Sequence, residues 1–548
     1  MLTWLREFFS HCMASHLLPK IWRRADVIAI LKPNKPADDA KSYRPISLLC
    51  VPLKLLERLL LSRLEPVIDP QLPHQQAGFR RGRSTTDQVT LLTDDIEAGF
   101  EARQKVGVVL VDLTAAYDTV WLRGLHLKLL HMIPDGHMVS FVMELLTNRS
   151  FRLRTSDGQV SRLRRLRNGV PQGSTLSPTL FNVYISDIPQ TTSKQYGYAD
   201  DLALLAADRN WETVETTLNH DMQVLHEYLV RWRLKLSTAK TTSTAFHLNN
   251  RDCQRQLAIS VNGSALLNNN HPVYLGVTLD RSLTYRHHIE ALRRKVNTRN
   301  GLLRCLAGSS WGAYTSTLRT GALALVYSAA EYASPVWCRS THTKKLDISL
   351  NDTMRIITGC MRPTETTFLP VLAGITPSDI RRDSRVMSLT TAATENQHHL
   401  LHCRVSSAAT NTNAQRLKSR SPFSRHAARL LTEEFDPTKT WNDRVDDGPP
   451  FVRDACPPPR PSLPPGAVLP RKQWVRLNRL RSGTARVGET LQRWGLQESA
   501  TCACGHPTQT VQHVVTDCRL FKSPGDLSAL RCPDDVTLDW LSELPLEL

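Results

Sequence analysis

Three carboxylates stand where they could hold metal ions. Asp112 follows the apolar run Val106-Gly107-Val108-Val109-Leu110-Val111, and the pair Asp200-Asp201 lies between the apolar segments Gln195–Tyr198 and Leu202–Ala206. The first run is mostly β-branched and reads as a buried strand that delivers Asp112 at its end. The spacing around Asp200-Asp201 suits a tight hairpin. Strand ends hold side chains rigidly, and hard carboxylate oxygens suit Mg²⁺ or Mn²⁺. Nucleotide addition is the chemistry that needs such a set. Two divalent ions about 3.5–4 Å apart activate a primer hydroxyl and hold the triphosphate with its leaving group, so carboxylates from two chain segments must converge. Neighbouring residues on an extended chain point to opposite faces, so Asp200 is expected to face Asp112, with Asp201 the looser ligand. An isolated Asp-Asp pair is usually a solvated turn, so the assignment depends on what surrounds it.

A second constellation lies near the C-terminus. Cys502, Cys504, His513 and Cys518 follow the order C-x-C-x8-H-x4-C. Four soft or borderline ligands suffice for a closed, structural Zn²⁺ site, with His506 an alternative to His513 as the nitrogen ligand. Three unrelated thiols beside a histidine is the bland alternative. The other cysteines among the 12 are scattered and read as reduced thiols.

The elements that must position these groups are legible as patterns. Ala25–Leu31 reads as a strand ending in the basic turn Lys32-Pro33-Asn34-Lys35, and Leu53, Leu56, Leu59, Leu60 and Leu64 form one apolar helical face after Pro52. Ser177-Pro178 reads as the N-cap and first turn of a helix carrying Leu180, Phe181, Tyr184, Ile185 and Ile188. Trp211, Val214, Leu218, Met222, Leu225, Leu229 and Trp232 recur as the buried stripe of an amphipathic helix. Residues 285–435 read as mostly helical. The interval 449–470 holds nine of the 32 prolines and reads as a linker.

With 548 residues, 41% of them hydrophobic, the chain is long enough for several domains. Its 69 Lys and Arg against 51 Asp and Glu leave a net charge of +18, which favours a polyanionic partner, nucleic acid first. No apolar run of membrane-spanning length and no signal-peptide core is visible, so an intracellular protein of cytoplasm and nucleus, neither secreted nor membrane-bound, is expected. Basic runs at Arg80-Arg81-Gly82-Arg83, Arg162 to Arg167 and Arg293-Arg294-Lys295 are candidates to line a nucleic-acid groove, although such runs are more often solvated faces.

One ordered series gathers these features: Tyr43-Arg44-Pro45-Ile46-Ser47, Gly78-Phe79-Arg80 with Ser84-Thr85 and Gln88, Val111-Asp112-Leu113-Thr114-Ala115-Ala116-Tyr117-Asp118, Gly169-Val170-Pro171-Gln172-Gly173, Tyr198-Ala199-Asp200-Asp201, Lys240-Thr241 and Tyr274-Leu275-Gly276. It resembles the reverse transcriptases of jockey-like non-LTR (LINE-type) retrotransposons, over about residues 20–290 and more weakly through Trp337, Arg355 and 366–380.

The resemblance implies an α+β right-hand polymerase fold with fingers, palm and a helical thumb, followed by a small zinc-knuckle segment. Fingers and palm would span 1–280, thumb and connection 281–448, linker 449–470, and a basic segment with the knuckle 471–548. It implies an RNA-directed DNA polymerase that extends a DNA primer on an RNA template with deoxynucleoside triphosphates. Asp112, Asp200 and Asp201 would hold the ions, and Lys240 would donate a proton to pyrophosphate. The family's Asn-x-x-Lys reads Ser237-Thr238-Ala239-Lys240 here. Arg44 and Lys32 would contact the triphosphate. Tyr117 would lie under the incoming sugar and exclude a 2′-hydroxyl, while Gln172 and Gly173 would approach the new base pair. Trp474, Arg476 and Arg479 would make stacking and phosphate contacts in a zinc-stabilised module with too little apolar content for a large core. Residues 1–20 leave no room for the endonuclease that usually precedes such a polymerase, so a 5′-truncated copy or partial gene model is expected. The alternatives are a decayed or domesticated protein that binds RNA without catalysis and, further off, an RNA-directed RNA polymerase.

Overall fold

The computed structural model describes residues 1–32, 35–155, 157–408 and 421–546. Pro33 and Asn34, the centre of the expected basic turn, lie outside the described residues. The chain divides into two compact units, one of Met1–Gly276 with Arg281–Leu283 and His398–Leu400, the other of Val277–Asp280, Thr284–Gln397 and Leu401–Leu548.

Strands of the first unit are β1 (Arg24–Leu31), β2 (Tyr43–Leu48), β3 (Lys105–Val111), β4 (Ser150–Arg154), β5 (Arg164–Arg165), β6 (Lys194–Tyr198), β7 (Asp201–Asp208) and β8 (Thr242–Phe246). The central sheet runs β8-β3-β7-β6, with the short strand Leu267–Asn268 beyond β8. β3 is antiparallel to both neighbours and buried on most of its length, which explains its near-continuous apolar sequence. Helices Thr85–Glu101 and Trp211–Arg231 pack against this sheet, the latter burying Val214, Leu218, Met222, Leu225 and Leu229 as its periodicity predicts. A second sheet, β2-β1-β4-β5, carries Arg44 on its edge strand. Helix Val51–Ile68 buries Leu53, Leu56, Leu60 and Leu64, while Leu59 turns outward at 48% exposure because it falls off that stripe.

The cap at the helix Ser177–Tyr184 differs from expectation. Leu176 occupies the N-cap position, and the Ser174 hydroxyl, two residues earlier, accepts from the backbone N–H of Leu176 and Ser177 at 3.1 and 3.3 Å. Ser177 is instead the first helical residue, followed by Pro178, whose missing N–H costs nothing there.

The second unit is helical, with Arg286–Arg304, Thr343–Thr358 and Ser378–Glu395 its longest helices. Its C-terminal part corrects two expectations. First, 449–470 is not a bare tether: it opens with the helix Pro450–Ala455, and Ala455 and Cys456 are buried. Phe451, Ala455, Leu477, Leu480, Val487, Val514, Leu530 and Leu541 share one apolar core, so the region has more core than its composition suggests. Second, the basic helix Arg471–Arg481 faces inward. Trp474 is fully buried and donates to the Ile357 carbonyl at 3.1 Å. Arg476 donates to the carbonyls of Leu541 (3.0 Å) and Leu546 (3.1 Å), Arg479 to Gly359 (3.0 Å), and Arg481 to Leu530 (2.7 Å) and Pro465 (2.9 Å). The guanidinium fork satisfies carbonyls that helix ends and proline-rich loops leave without N–H partners, so these side chains are structural staples, not a stacking surface.

Candidate active site

β3 and β7 pair so that Val111 stands opposite Leu202, and β6 and β7 pair so that Tyr198 stands opposite Asp201. This register carries Asp112, one residue beyond β3, to the end of the sheet where Ala199 and Asp200 form the hairpin turn. The register therefore brings the three carboxylates from two segments to one end of the sheet. Their mutual repulsion is felt. Burial, first, and then the charge of Asp112 raise the pKa of Asp200, against which Arg44 acts. Desolvation, first, and then the charges of Asp200 and Asp112 push Asp201 up to about 6, although the residue is exposed.

The segment after helix Trp211–Arg231 holds Asp112 from the other side. Asp112 N–H donates to the Thr241 hydroxyl at 3.2 Å, and Ser237 N–H donates to the Asp112 carbonyl at 2.9 Å. The Ser237 carbonyl accepts from both Lys240 N–H (3.1 Å) and Thr241 N–H (2.8 Å), so Ser237 still closes the turn that presents Lys240. Lys240 Nζ lies 3.3 Å from Asp112 Oδ1. Lys32 is placed differently: its ammonium donates to the Lys41 carbonyl at 3.0 Å within its own turn.

Tyr117 belongs to a one-turn helix, Ala116–Thr119, that begins four residues after Asp112. Its ring stacks on Phe181 with centroids 4.9 Å apart and planes 13° apart, and its carbonyl accepts from Val170 N–H at 2.8 Å. Burial and the charge of Asp200 raise its pKa, keeping the phenol neutral. Among the described residues its buried hydroxyl has no hydrogen-bond partner. The loop Pro171-Gln172-Gly173 lies on β2, where the Gln172 carbonyl accepts from Ser47 N–H at 2.7 Å. Gly173 has φ 121°, and a Cβ there would stand 2.5 Å from the Ser47 carbonyl, so the close approach that requires this glycine is to β2.

Two supporting residues were not apparent in the sequence. Glu57, buried in helix Val51–Ile68, accepts from the Ser174 hydroxyl (2.7 Å) and Thr175 N–H (2.8 Å), and burial raises its pKa despite these bonds. Gln76 clamps the hairpin. Its Oε1 accepts from Ala199 N–H and Gly78 N–H, both at 2.9 Å, and its Nε2 donates to the Ala199 carbonyl at 3.3 Å. Ala199 sits at φ 57°, a left-handed position that this amide pins. The only sequence signal for Gln76 is its place two residues before Gly78-Phe79-Arg80. Gln76→Met should leave buried Ala199 and Gly78 N–H groups unpaired, at about 1–3 kcal/mol each. We expect a lower melting temperature together with a rate of nucleotide addition about tenfold lower or more. Steady-state kinetics beside thermal denaturation, with Gln75→Ala as control, check this.

Of the basic runs, Arg80 is withdrawn from any groove, because its guanidinium is buried on Asp69 at 2.7 Å and on the carbonyls of Pro73 and Gln76. Arg162, Arg164, Arg165 and Arg167 are exposed, as are Arg294 and Lys295, while Arg293 pairs with Glu290 at 2.8 Å.

In the second unit the thiols and His513 meet. All four ligand atoms lie within 4.8 Å of one another, with Cys502 Sγ 3.7 Å from Cys518 Sγ and Cys504 Sγ 3.2 Å from His513 Nε2. Tetrahedral bonds of about 2.3 Å to sulfur separate sulfurs by about 3.8 Å, so the spacing fits one metal ion. His506 stacks on His513 at 4.1 Å, and its Nδ1 lies 2.8 Å from the Thr508 carbonyl, so His513 is the nitrogen the fold brings to the thiols.

Comparisons with known proteins agree with this geometry. The profile of the family described as reverse transcriptase (RNA-dependent DNA polymerase) matches residues 30–279. The chain is 32% identical over 373 residues to the probable RNA-directed DNA polymerase from transposon BS of Drosophila melanogaster, covering 65% of this chain and 40% of that protein. It is 32% identical over 309 residues to the RNA-directed DNA polymerase from mobile element jockey of Drosophila funebris, covering 54% and 33%. A third relative, the retrovirus-related Pol polyprotein from type-1 retrotransposable element R1 of Bradysia coprophila, is 23% identical over 95% of this chain and 51% of its own length. The chain thus spans between a third and about half of the length of these three relatives.

Proposed function

We propose that the chain, whose residues 30–279 match the reverse transcriptase family and which is similar to polymerases of the BS and jockey elements, is an RNA-directed DNA polymerase that extends a DNA primer on an RNA template. The observation that carries this reading is the strand register that sets Asp112 beside Asp200 and Asp201 at one end of the central sheet. Mg²⁺ or Mn²⁺ held by these carboxylates would activate the primer 3′-hydroxyl and neutralise the triphosphate. In this reading Met1–Gly276 supplies fingers and palm, and the helices after Thr284 supply thumb and connection.

The chain's own residues then divide the work. Asp112 and Asp200 bring negative charge to one point from two rigid strand ends. Arg44, whose charge already acts on Asp200, faces the triphosphate oxygens, to which a guanidinium fork is suited. Tyr117, wedged on Phe181, occupies the space that a 2′-hydroxyl would need. Lys240 is close enough to Asp112 to deliver a proton to departing pyrophosphate. Glu57 and Ser174 fix the loop bearing Gln172 and Gly173 against β2. The exposed arginines of 162–167 are the basic surface that suits a phosphate backbone. Such work belongs inside the cell, in cytoplasm and nucleus; among the described residues no helix is long and apolar enough to cross a membrane. Extension of a DNA primer on an RNA template by the purified chain tests the reading.

The same reading assigns structural Zn²⁺ to Cys502, Cys504, His513 and Cys518. Because the surrounding region also owns an apolar core, ligand loss should open it locally and leave the rest folded. Cys502→Ser with Cys518→Ser should abolish stoichiometric zinc and raise amide exchange over about 500–523, with extension on a simple template retained. Full-length protein purified without zinc, or unchanged exchange in the variant, would leave the cluster as incidental thiols.

A further inference from the structure

Phe79 stands between two residues whose placement is fixed. Gly78 lies so close to the catalytic hairpin that a Cβ would come within 2.2 Å of Ala199 N, and its carbonyl accepts from Asn182 Nδ2 at 2.7 Å. Arg80 is buried with its guanidinium on Asp69, Pro73 and Gln76. Between them Phe79 has φ 58°, a left-handed conformation that bulky L residues avoid, and the residue is 53% exposed. Its conformation costs folding free energy and its ring returns little burial, so neither backbone nor core accounts for a phenylalanine here. The ring centroid lies 6.3 Å from that of Tyr198, tilted by 43°, and Tyr198 leads directly into the turn bearing Asp200. The apolar ring is thus half-exposed beside Tyr198, the residue that leads into the Asp200 turn, on a chain of net charge +18.

We propose that Phe79 is a binding residue for the primer strand, packing its ring on a nucleotide next to the 3′ end. This rests on the polymerase reading, since a primer end must reach Asp112 and Asp200 and would then pass Tyr198 and Phe79. The ring would pack on the sugar of that nucleotide, a group every nucleotide carries, so the contact tolerates any sequence. The left-handed backbone is the strain that keeps the ring out of the core and on display.

Phe79→Gly separates this role from a structural one, because glycine adopts φ 58° without strain. Fluorescence titration of a labelled RNA–DNA template–primer, in Ca²⁺ to block turnover, should show Kd raised about tenfold or more for Phe79→Gly and within about threefold of wild type for Phe79→Trp. The melting temperature of Phe79→Gly should equal or exceed that of wild type. Unchanged affinity in Phe79→Gly, or a melting temperature several degrees lower, overturns the proposal, as does a wild-type chain that does not bind template–primer. A wild-type chain whose binding depends on Phe79 but which extends no primer in Mg²⁺ or Mn²⁺ overturns the polymerase reading and leaves the contact standing.

Discussion

Asp112→Asn and Asp200→Asn are each expected to lower primer extension by about three orders of magnitude or more, while the Kd for template–primer should stay within about threefold. The asymmetry follows from where the charge is. These carboxylates sit at a strand end and a hairpin turn, and removing one negative charge there weakens the hold on the ions without touching the basic surfaces that bind the phosphate backbone. Asp201→Asn is expected to be milder, because the residue is exposed and its pKa is raised to about 6 by desolvation and by the charges of Asp200 and Asp112. Single-turnover extension beside equilibrium binding separates the two quantities. Activity within tenfold of wild type in Asp112→Asn would remove that residue from the site.

Tyr117→Val is the second large effect, and it appears in selectivity. The Tyr117 ring is held against Phe181 and its backbone against Val170, so it has no easy way to yield to an extra oxygen. Overpacking a well-ordered site costs about 1–3 kcal/mol, so deleting the ring should raise ribonucleotide incorporation relative to deoxyribonucleotide by roughly 10–100-fold. The Tyr117 hydroxyl is buried without a hydrogen-bond partner among the described residues, so Tyr117→Phe should keep wild-type discrimination, which shows that the bulk of the ring matters. Single-nucleotide kinetics with matched ribo- and deoxyribonucleotides give both ratios. Unchanged discrimination in Tyr117→Val would take the gate away from this residue.

Local patterns revealed what depends on local physics. The apolar run at 106–111 and the interrupted pair of segments around Asp200 read as strands because side-chain alternation and burial are properties of neighbours in sequence, and the structure has β3, β6 and β7 there. The same holds for the stripe Val214 to Leu229. Gln76 was invisible because its importance lies in three bonds to backbone groups, two of them more than a hundred residues away. Glu57 reads in sequence as one charge on a helix, and only the packing of Ser174 and Thr175 against it explains its burial. The basic, Trp-containing helix 471–481 misled in the opposite direction. Arginine and tryptophan suit nucleic acid and buried carbonyls equally well, and composition does not distinguish the two. Proline density at 449–470 likewise reports a lack of regular hydrogen bonding, not a lack of packing.

Extension of a labelled DNA primer on an RNA template tests the proposed copying of RNA into DNA most directly. With Mg²⁺ or Mn²⁺ and the four deoxynucleoside triphosphates, the wild-type chain should extend the primer to the template end, and Asp112→Asn should leave it at its starting length. No extension by folded wild-type protein with either ion, or extension that persists in Asp112→Asn, would contradict the account.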